Sequence, residues 1–130
     1  MTEMTKTVKV LLVDDDAHML TVLRVISIGM GFDVVGEARD GQQALALYQE
    51  RQPDLTLLDV LMPGMDGIDV LKEIRRMNAD ARVVMLTATD PAETLDYSFE
   101  AGAVDFIRKD WGAEGWIRTL EEICQKYFLQ

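Results

Sequence analysis

The chain has 130 residues and a mass of 14.7 kDa, which is room for one domain. A composition of 48% hydrophobic and 28% charged residues excludes a disordered or fibrous chain, and a single cysteine, Cys124, excludes a disulfide framework or a cysteine-built zinc cluster. Thirteen basic against 23 acidic residues leave a net charge of −10, a field that repels nucleic acid and anionic lipid and welcomes divalent cations.

The first residues, Met1 to Thr7, are polar and lack the apolar stretch of a signal peptide. They read as a flexible tail (1–7) ahead of one domain (8–130), in a reducing, cytoplasmic setting. No apolar run is long enough to span a membrane. Val8 to Val13 is a short, apolar, partly β-branched run that stops at Asp14, Asp15 and Asp16, as a buried strand would. Ala17 to Met30 places Met19, Leu23, Ile26 and Met30 at helical spacing, with Gly29 and Gly31 as stop signals. Asp33 to Ala38 is a weaker strand. Gly41 to Gln52 follows the Asp40-Gly41 turn as a helix with Ala44, Leu45 and Tyr48 on one face, closed by Pro53. Asp54 to Leu58 is a third strand, again stopped by an aspartate, Asp59.

A loop from Val60 to Asp66 turns at Pro63-Gly64. Gly67 to Asn78 repeats helical spacing through Ile68, Leu71 and Ile74, and Arg82 to Leu86 is strand four, ending at Thr87. Pro91 suits the first turn of a helix whose apolar face (Ala92, Leu95, Phe99) is thin. Ala103 to Ile107 is strand five, followed by Arg108 and Lys109. The last helix carries Trp116, Ile117, Leu120, Ile123, Cys124 and Tyr127 as one stripe. Strands alternating with helices of this length imply an α/β fold with a parallel sheet covered on both faces, and no second domain is expected in this chain.

In such a sheet the ligand sits beyond the carboxyl ends of the strands. There, strand one supplies Asp14 and Asp15, strand three Asp59, strand four Thr87, and strand five leads to Lys109. A single terminal aspartate is an ordinary turn former. Three carboxylates, a hydroxyl and an ammonium brought together by topology point to chemistry. Crowded carboxylates resist ionising together, and a hard divalent ion cancels that repulsion. Oxygen ligands suit Mg²⁺, which accepts a few carboxylates plus a phosphoryl oxygen.

The segments VLLVDDD, PDLTLLDVLMPGMDG, VVMLTAT and AGAVDFIRKD, in this order, resemble the receiver domain of two-component response regulators across nearly the whole chain, with the single-domain chemotaxis regulator as the nearest architecture. The resemblance implies a doubly wound (βα)5, flavodoxin-like fold with strand order 2-1-3-4-5. It implies that Asp59 accepts a phosphoryl group from a sensor histidine kinase or phosphotransfer protein. Asp14, Asp15, Asp59 and the Leu61 backbone carbonyl would hold Mg²⁺, with Mn²⁺ as a substitute. Thr87, the backbone at Ala88 and Lys109 would bind the phosphoryl group, and Phe106 would be a rotating aromatic. The face of the fourth helix, fifth strand and fifth helix would signal to a downstream protein, and is where a homodimer would form. Contact with nucleic acid or membrane is not expected, nor is turnover of an external substrate.

The chain departs from the family at two places. Asp110 stands where the family follows its lysine with a proline in cis, and its charge competes for Lys109; the expectation is that Lys109 still points inward. Leu61 and Thr89 occupy positions whose side chains can orient hydrolytic water, and neither does so well, which predicts a slowly decaying phosphoform. Plainer readings stand beside these. Asp16 reads as a helix cap. His18 reads as a solvent-facing helix residue, Met62 and Met65 as loop packing, Cys124 as a core thiol, and Trp116 equally as an interface residue or as packing of the last helix. Trp111 is open between packing and interface.

Two rivals are weighed. VDDDAH also fits the D-x-D pattern of haloacid-dehalogenase-like phosphatases, with Asp14 as nucleophile and Asp16 as general acid. Asp59 and its following loop are then unexplained. The second rival is a receiver-like interaction module that is never phosphorylated, which Asp110 favours.

Overall fold

The computed structural model describes residues 7–62, 64–88 and 92–128, with the side chains of 92–95 left aside. Its elements are β1 (Lys9–Val13), α1 (Ala17–Gly29), β2 (Asp33–Ala38), α2 (Gly41–Arg51), β3 (Leu55–Asp59), α3 (Gly67–Met77), β4 (Val83–Thr87), α4 (Ala92–Glu100), β5 (Asp105–Arg108) and α5 (Ala113–Tyr127). The strands form one sheet in the order β2-β1-β3-β4-β5, and each neighbouring pair is parallel. This is the expected doubly wound arrangement, with the expected strand order. Of the tail expected over residues 1–7, all but Thr7 lies outside the described residues.

Strand periodicity sorts the core into two layers. Val10 and Leu12 of β1, Leu55 and Leu57 of β3, and Val84 and Leu86 of β4 face α1 and α5, where they meet Leu23, Ile26, Trp116, Leu120 and Ile123. Leu11, Val13, Leu58, Val83 and Met85 face the other way, onto Ala44 and Tyr48 of α2 and Val70, Leu71 and Ile74 of α3. Both faces of the central strands are covered, which is why β1, β3 and β4 read as unbroken apolar runs.

Aspartates start three of the helices. Asp16, Asp40 and Asp66 accept hydrogen bonds from the backbone N–H groups of His18, Gln43 and Ile68, satisfying donors that the first helical turn leaves unpaired. Asp16 is therefore the cap that the sequence suggests, and His18 is exposed beside it. Gln52 closes α2 in the left-handed region (φ 47°), directly before Pro53.

The boundaries shift in places. Asp59 and Thr87 are the last residues of β3 and β4 and not the residues after them, because parallel pairing continues to the ends: Asp59 opposes Leu86, and Thr87 opposes Arg108. Strand five starts at Asp105 and not at Ala103. The Ala103 N–H instead closes the end of α4 on the Ser98 carbonyl, following Gly102 at φ 108°. Phe99 was expected on the apolar face of the fourth helix, yet it is exposed, while Ser98 is buried. Ile117 is likewise the exposed edge of the α5 stripe.

Gly67 opens α3 pressed against the end of β3. Its N–H donates to the Val60 carbonyl at 2.9 Å, and a β-carbon added there would lie 2.1 Å from the Asp59 carbonyl oxygen. No flexible side chain can yield at that point, because the neighbour is backbone. Gly67→Ala should therefore cost about 3 kcal/mol of stability, the upper end of ordinary overpacking, and should perturb Asp59. Urea denaturation checks this; a midpoint equal to wild type would show that the backbone gives way freely.

Candidate functional site

Parallel pairing lines up the strand ends, so the residues at or just beyond them share one crevice. Asp14 follows β1, Asp59 ends β3, and Thr87 ends β4. Asp14 is fully buried, and Asp59 and Thr87 are nearly so, at 4% and 5% exposure. Asp15 is half-buried beside them. One carboxylate oxygen from each of Asp14, Asp15 and Asp59 can be chosen so that all three lie within 4.8 Å of one another.

Lys109 reaches into this group. Its Nζ lies 2.8 Å from Asp14 Oδ2 and 3.2 Å from Asp59 Oδ1. The backbone adds to this: Asp16 N–H donates to the other Asp14 oxygen, Oδ1, at 3.0 Å, and Leu61 N–H donates to the same Asp59 Oδ1 that Lys109 contacts, at 3.3 Å. The Lys109 N–H donates to the Thr87 carbonyl at 2.7 Å, which fixes where the lysine leaves the sheet edge.

The expectation that Lys109 points inward despite Asp110 is met. The described peptide bonds include no cis bond, so the loop does not take the form that the family's proline imposes. Asp110 does not pair with the lysine; both of its carboxylate oxygens accept from Arg108. Ala88 is exposed directly after β4. Thr89 lies outside the described residues. Leu61 is 71% exposed, with its side chain in solvent. Phe106 is not in the crevice. It is half-buried further back on β5, edge-on to Phe99 at 6.1 Å and tilted against Trp111 at 5.7 Å. That contact gives Trp111 a packing role, although its ring remains partly exposed. Trp116 is buried and donates its indole N–H to the Arg108 carbonyl at 2.9 Å. Met62 and Met65 pack on the α2–α3 core layer, and Cys124 is a buried thiol whose pKa burial raises.

Asp16 stands apart from the carboxylate cluster. It is exposed, and its carboxylate caps α1, an arrangement that does not favour its reading as the general acid of a phosphatase. The residues that sequence reading missed are supporting ones. Arg39 donates from Nη2 and Nε to the Asp15 carbonyl at 3.0 and 3.3 Å, tying the second βα corner to the first. Its only sequence signal was a cation next to the Asp40-Gly41 turn.

The electrostatics are those of an over-charged acidic site. Burial, then the charge of Asp14, push the Asp59 carboxyl up to about 7; the charge and hydrogen bond of Lys109 and the Leu61 N–H pull it back only in part. Burial alone would lower Lys109, but its bond to Asp14 and the charges of Asp59 and Asp14 outweigh burial and raise its pKa above the ordinary value. One ammonium thus faces three carboxylates. An all-oxygen, net-negative donor set fits a hard divalent cation such as Mg²⁺.

The raised carboxyl has a consequence for stability. The folded state holds the Asp59 proton to higher pH than the unfolded chain does. Its contribution is fully present below about pH 4 and is lost as pH rises through about 7. In chelator, wild type should therefore lose more stability than Asp59→Asn between about pH 4 and pH 8, by on the order of a few kcal/mol, and added Mg²⁺ should return it. Denaturant titrations across pH test this, and parallel profiles for the two proteins would contradict it.

Comparison with known proteins places this geometry. The model of the response regulator receiver domain matches residues 10–121. The chain is 43% identical over 115 residues to the chemotaxis protein CheY of Bacillus subtilis, covering 88% of this chain and 93% of that protein. It is 35% identical over 117 residues to CheY of Thermotoga maritima, covering 90% and 98%. Among solved structures, a chain of the CheX–CheY–BeF3–Mg²⁺ complex from Borrelia burgdorferi superposes with a TM-score of 0.84 at 30% identity, covering 92% of this chain and 89% of that one. With its fold, strand order and acidic crevice, the chain belongs to the response regulator receiver domains, the phosphoacceptor signalling modules of two-component systems.

Proposed function

We propose that Asp59 is the phosphoacceptor. A carboxylate oxygen of Asp59 attacks the phosphorus of a phosphohistidine on a sensor kinase or phosphotransfer protein. The P–N bond breaks as the O–P bond forms, and the leaving imidazole is protonated. Asp59 becomes an acyl phosphate, and hydrolysis later returns it to the carboxylate. The observation that carries this reading is the convergence of Asp14, Asp15 and Asp59 within 4.8 Å around the Lys109 ammonium.

The chain's own residues account for the remaining requirements. Asp14, Asp15, Asp59 and the Leu61 carbonyl would hold Mg²⁺, which offsets phosphoryl charge that the acidic crevice would otherwise reject. Support comes from the donor set and from the solved relative whose complex carries Mg²⁺. Lys109 already bridges two of the carboxylates and exchanges one of them for a phosphoryl oxygen. Thr87 and the backbone at Ala88 bind the remaining oxygens. The pull on Thr87 moves the end of β4, and Phe106 responds on the neighbouring strand. That changes the surface of α4, β5 and α5, which a downstream protein reads and through which a homodimer forms. The reading makes residues 8–130 one receiver domain acting in the cytoplasm, not an enzyme with an external substrate; among the described residues no helix is long and apolar enough to cross a membrane.

Incubation with acetyl phosphate and Mg²⁺ should add the mass of one phosphoryl group to wild type and none to Asp59→Asn. An unmodified wild type, folded and supplied with Mg²⁺, would instead support a receiver-like module that only binds partners. The exposed Leu61 side chain cannot orient water, and the phosphoform should decay slowly. If the part of Leu61 not in solvent shields the acyl phosphate from water, Leu61→Ala should speed the loss of label by roughly two- to fivefold, the equivalent of about 1 kcal/mol. Decay slower than wild type would show that Leu61 is not a shield.

A further inference from the structure

The loop that carries Lys109 has a built-in competitor. Asp110 is its immediate neighbour, and a free carboxylate there would have two effects. It would offer the ammonium a solvated partner in place of the crevice, and it would add a fourth negative charge beside Asp14, Asp15 and Asp59. The structure shows what prevents both. Arg108, the last residue of β5, clasps Asp110 with two donors: Nη2 to Oδ2 at 2.8 Å and Nε to Oδ1 at 3.1 Å. The two residues flanking Lys109 thus satisfy each other and leave the lysine between them to the crevice.

Arg108 is suited to this by its own anchoring. Its backbone carbonyl accepts both the Trp116 indole N–H at 2.9 Å and the Trp111 N–H at 3.1 Å. Its position in the sheet is set by pairing with Thr87. An ordinary surface ion pair is worth little because two mobile side chains must be ordered for it. Here the pair spans one residue, its arginine starts from a fixed strand end, and the contact is a two-pronged fork, the geometry in which arginine differs most from lysine.

We propose that Arg108 is a positioning residue for phosphoryl transfer, acting through Asp110: by holding the Asp110 carboxylate it keeps the Lys109 ammonium on Asp14 and Asp59. This rests on the reading of Asp59 as the phosphoacceptor for its kinetic consequence, but not for its structural one.

Two measurements on the full chain test it, each on wild type, Arg108→Ala, Asp110→Asn and the double variant. The first is the rate of labelling by acetyl phosphate with Mg²⁺. Arg108→Ala should slow it by roughly two- to fivefold, the size expected of one well-made ion pair. Asp110→Asn should leave it at or above the wild-type rate. The double variant should recover, because with no carboxylate at position 110 there is nothing left to restrain. The second is the rate of Lys109 acetylation by an amine-reactive ester, read by peptide mass without any phosphodonor. Lys109 should be shielded in wild type, modified faster in Arg108→Ala, and shielded again in the double variant. A double variant as slow and as reactive as Arg108→Ala would overturn the proposal, since the arginine would then serve the loop as a whole. Arg108→Ala matching wild type in both measurements would also overturn it. If wild type takes no phosphoryl group, the reading of Asp59 fails, and the acetylation pattern still decides the role of Arg108.

Discussion

One ammonium held between two buried carboxylates organises this molecule. Lys109 Nζ contacts Asp14 and Asp59 together, so the fully buried Asp14 keeps an ion partner. The sheet dictates how this is achieved. β1 and β3 are neighbours, so their terminal aspartates start about one strand spacing apart, near 4.8 Å. β5 lies two strands from β3, roughly 10 Å away, and only a long side chain closes that gap. Lysine has the reach, and as a compact charge it can contact two oxygens on different strands.

The same arrangement leaves the crevice short of positive charge. Burial and Asp14 drive the Asp59 carboxyl up to about 7, so the folded protein carries an acid group that is only partly ionised near neutrality. Elsewhere such a group would be a defect. Here it is supported by a core apolar on both faces of the central strands, where Leu11, Leu12, Leu57, Leu58, Met85 and Leu86 are essentially inaccessible. Each buried leucine of that kind contributes about 2 kcal/mol by area, enough for a few of them to outweigh one strained carboxyl. The strain sits at the strand ends, where the all-oxygen donor set fits a hard divalent cation.

Much of this was legible in the sequence, and the reason is topological. Short apolar runs stopped by Asp14 and Asp59, alternating with amphipathic segments, admit few folds, and the rule that parallel strands present their carboxyl ends to a ligand did the rest. What periodicity could not supply was which apolar residues meet a neighbour. Phe99 and Ile117 sit at helical spacing and still face solvent, because the packing partner of α4 and α5 covers less than the full stripe. Nor could it show close approach. Gly67 reads only as the start of a helix after a loop, and only coordinates reveal the Asp59 carbonyl where a side chain would go. The consequence of Asp110 was equally hidden, since a charge beside Lys109 is a threat or an irrelevance according to where Arg108 points.

The position of β5 explains how events at the crevice can be felt at the surface. Lys109 is tied by its own N–H to the Thr87 carbonyl, and three residues earlier, on β5, Phe106 lies edge-on to Phe99 of α4 and tilted against Trp111. β5 is an edge strand, paired on one side only, and it is short. A force on the end of β5 is therefore resisted by backbone bonds on one side only, whereas β1, β3 and β4 are paired on both sides. The aromatic group on this edge is half-exposed and has room to repack, whereas the aliphatic layers behind β1 and β3 do not. Rigidity at the carboxylates and compliance at the lysine edge are thus properties of one strand order. The lysine that bridges Asp14 and Asp59 therefore leaves the sheet at its one-sided edge, while the two carboxylates it joins stand at the ends of strands paired on both sides.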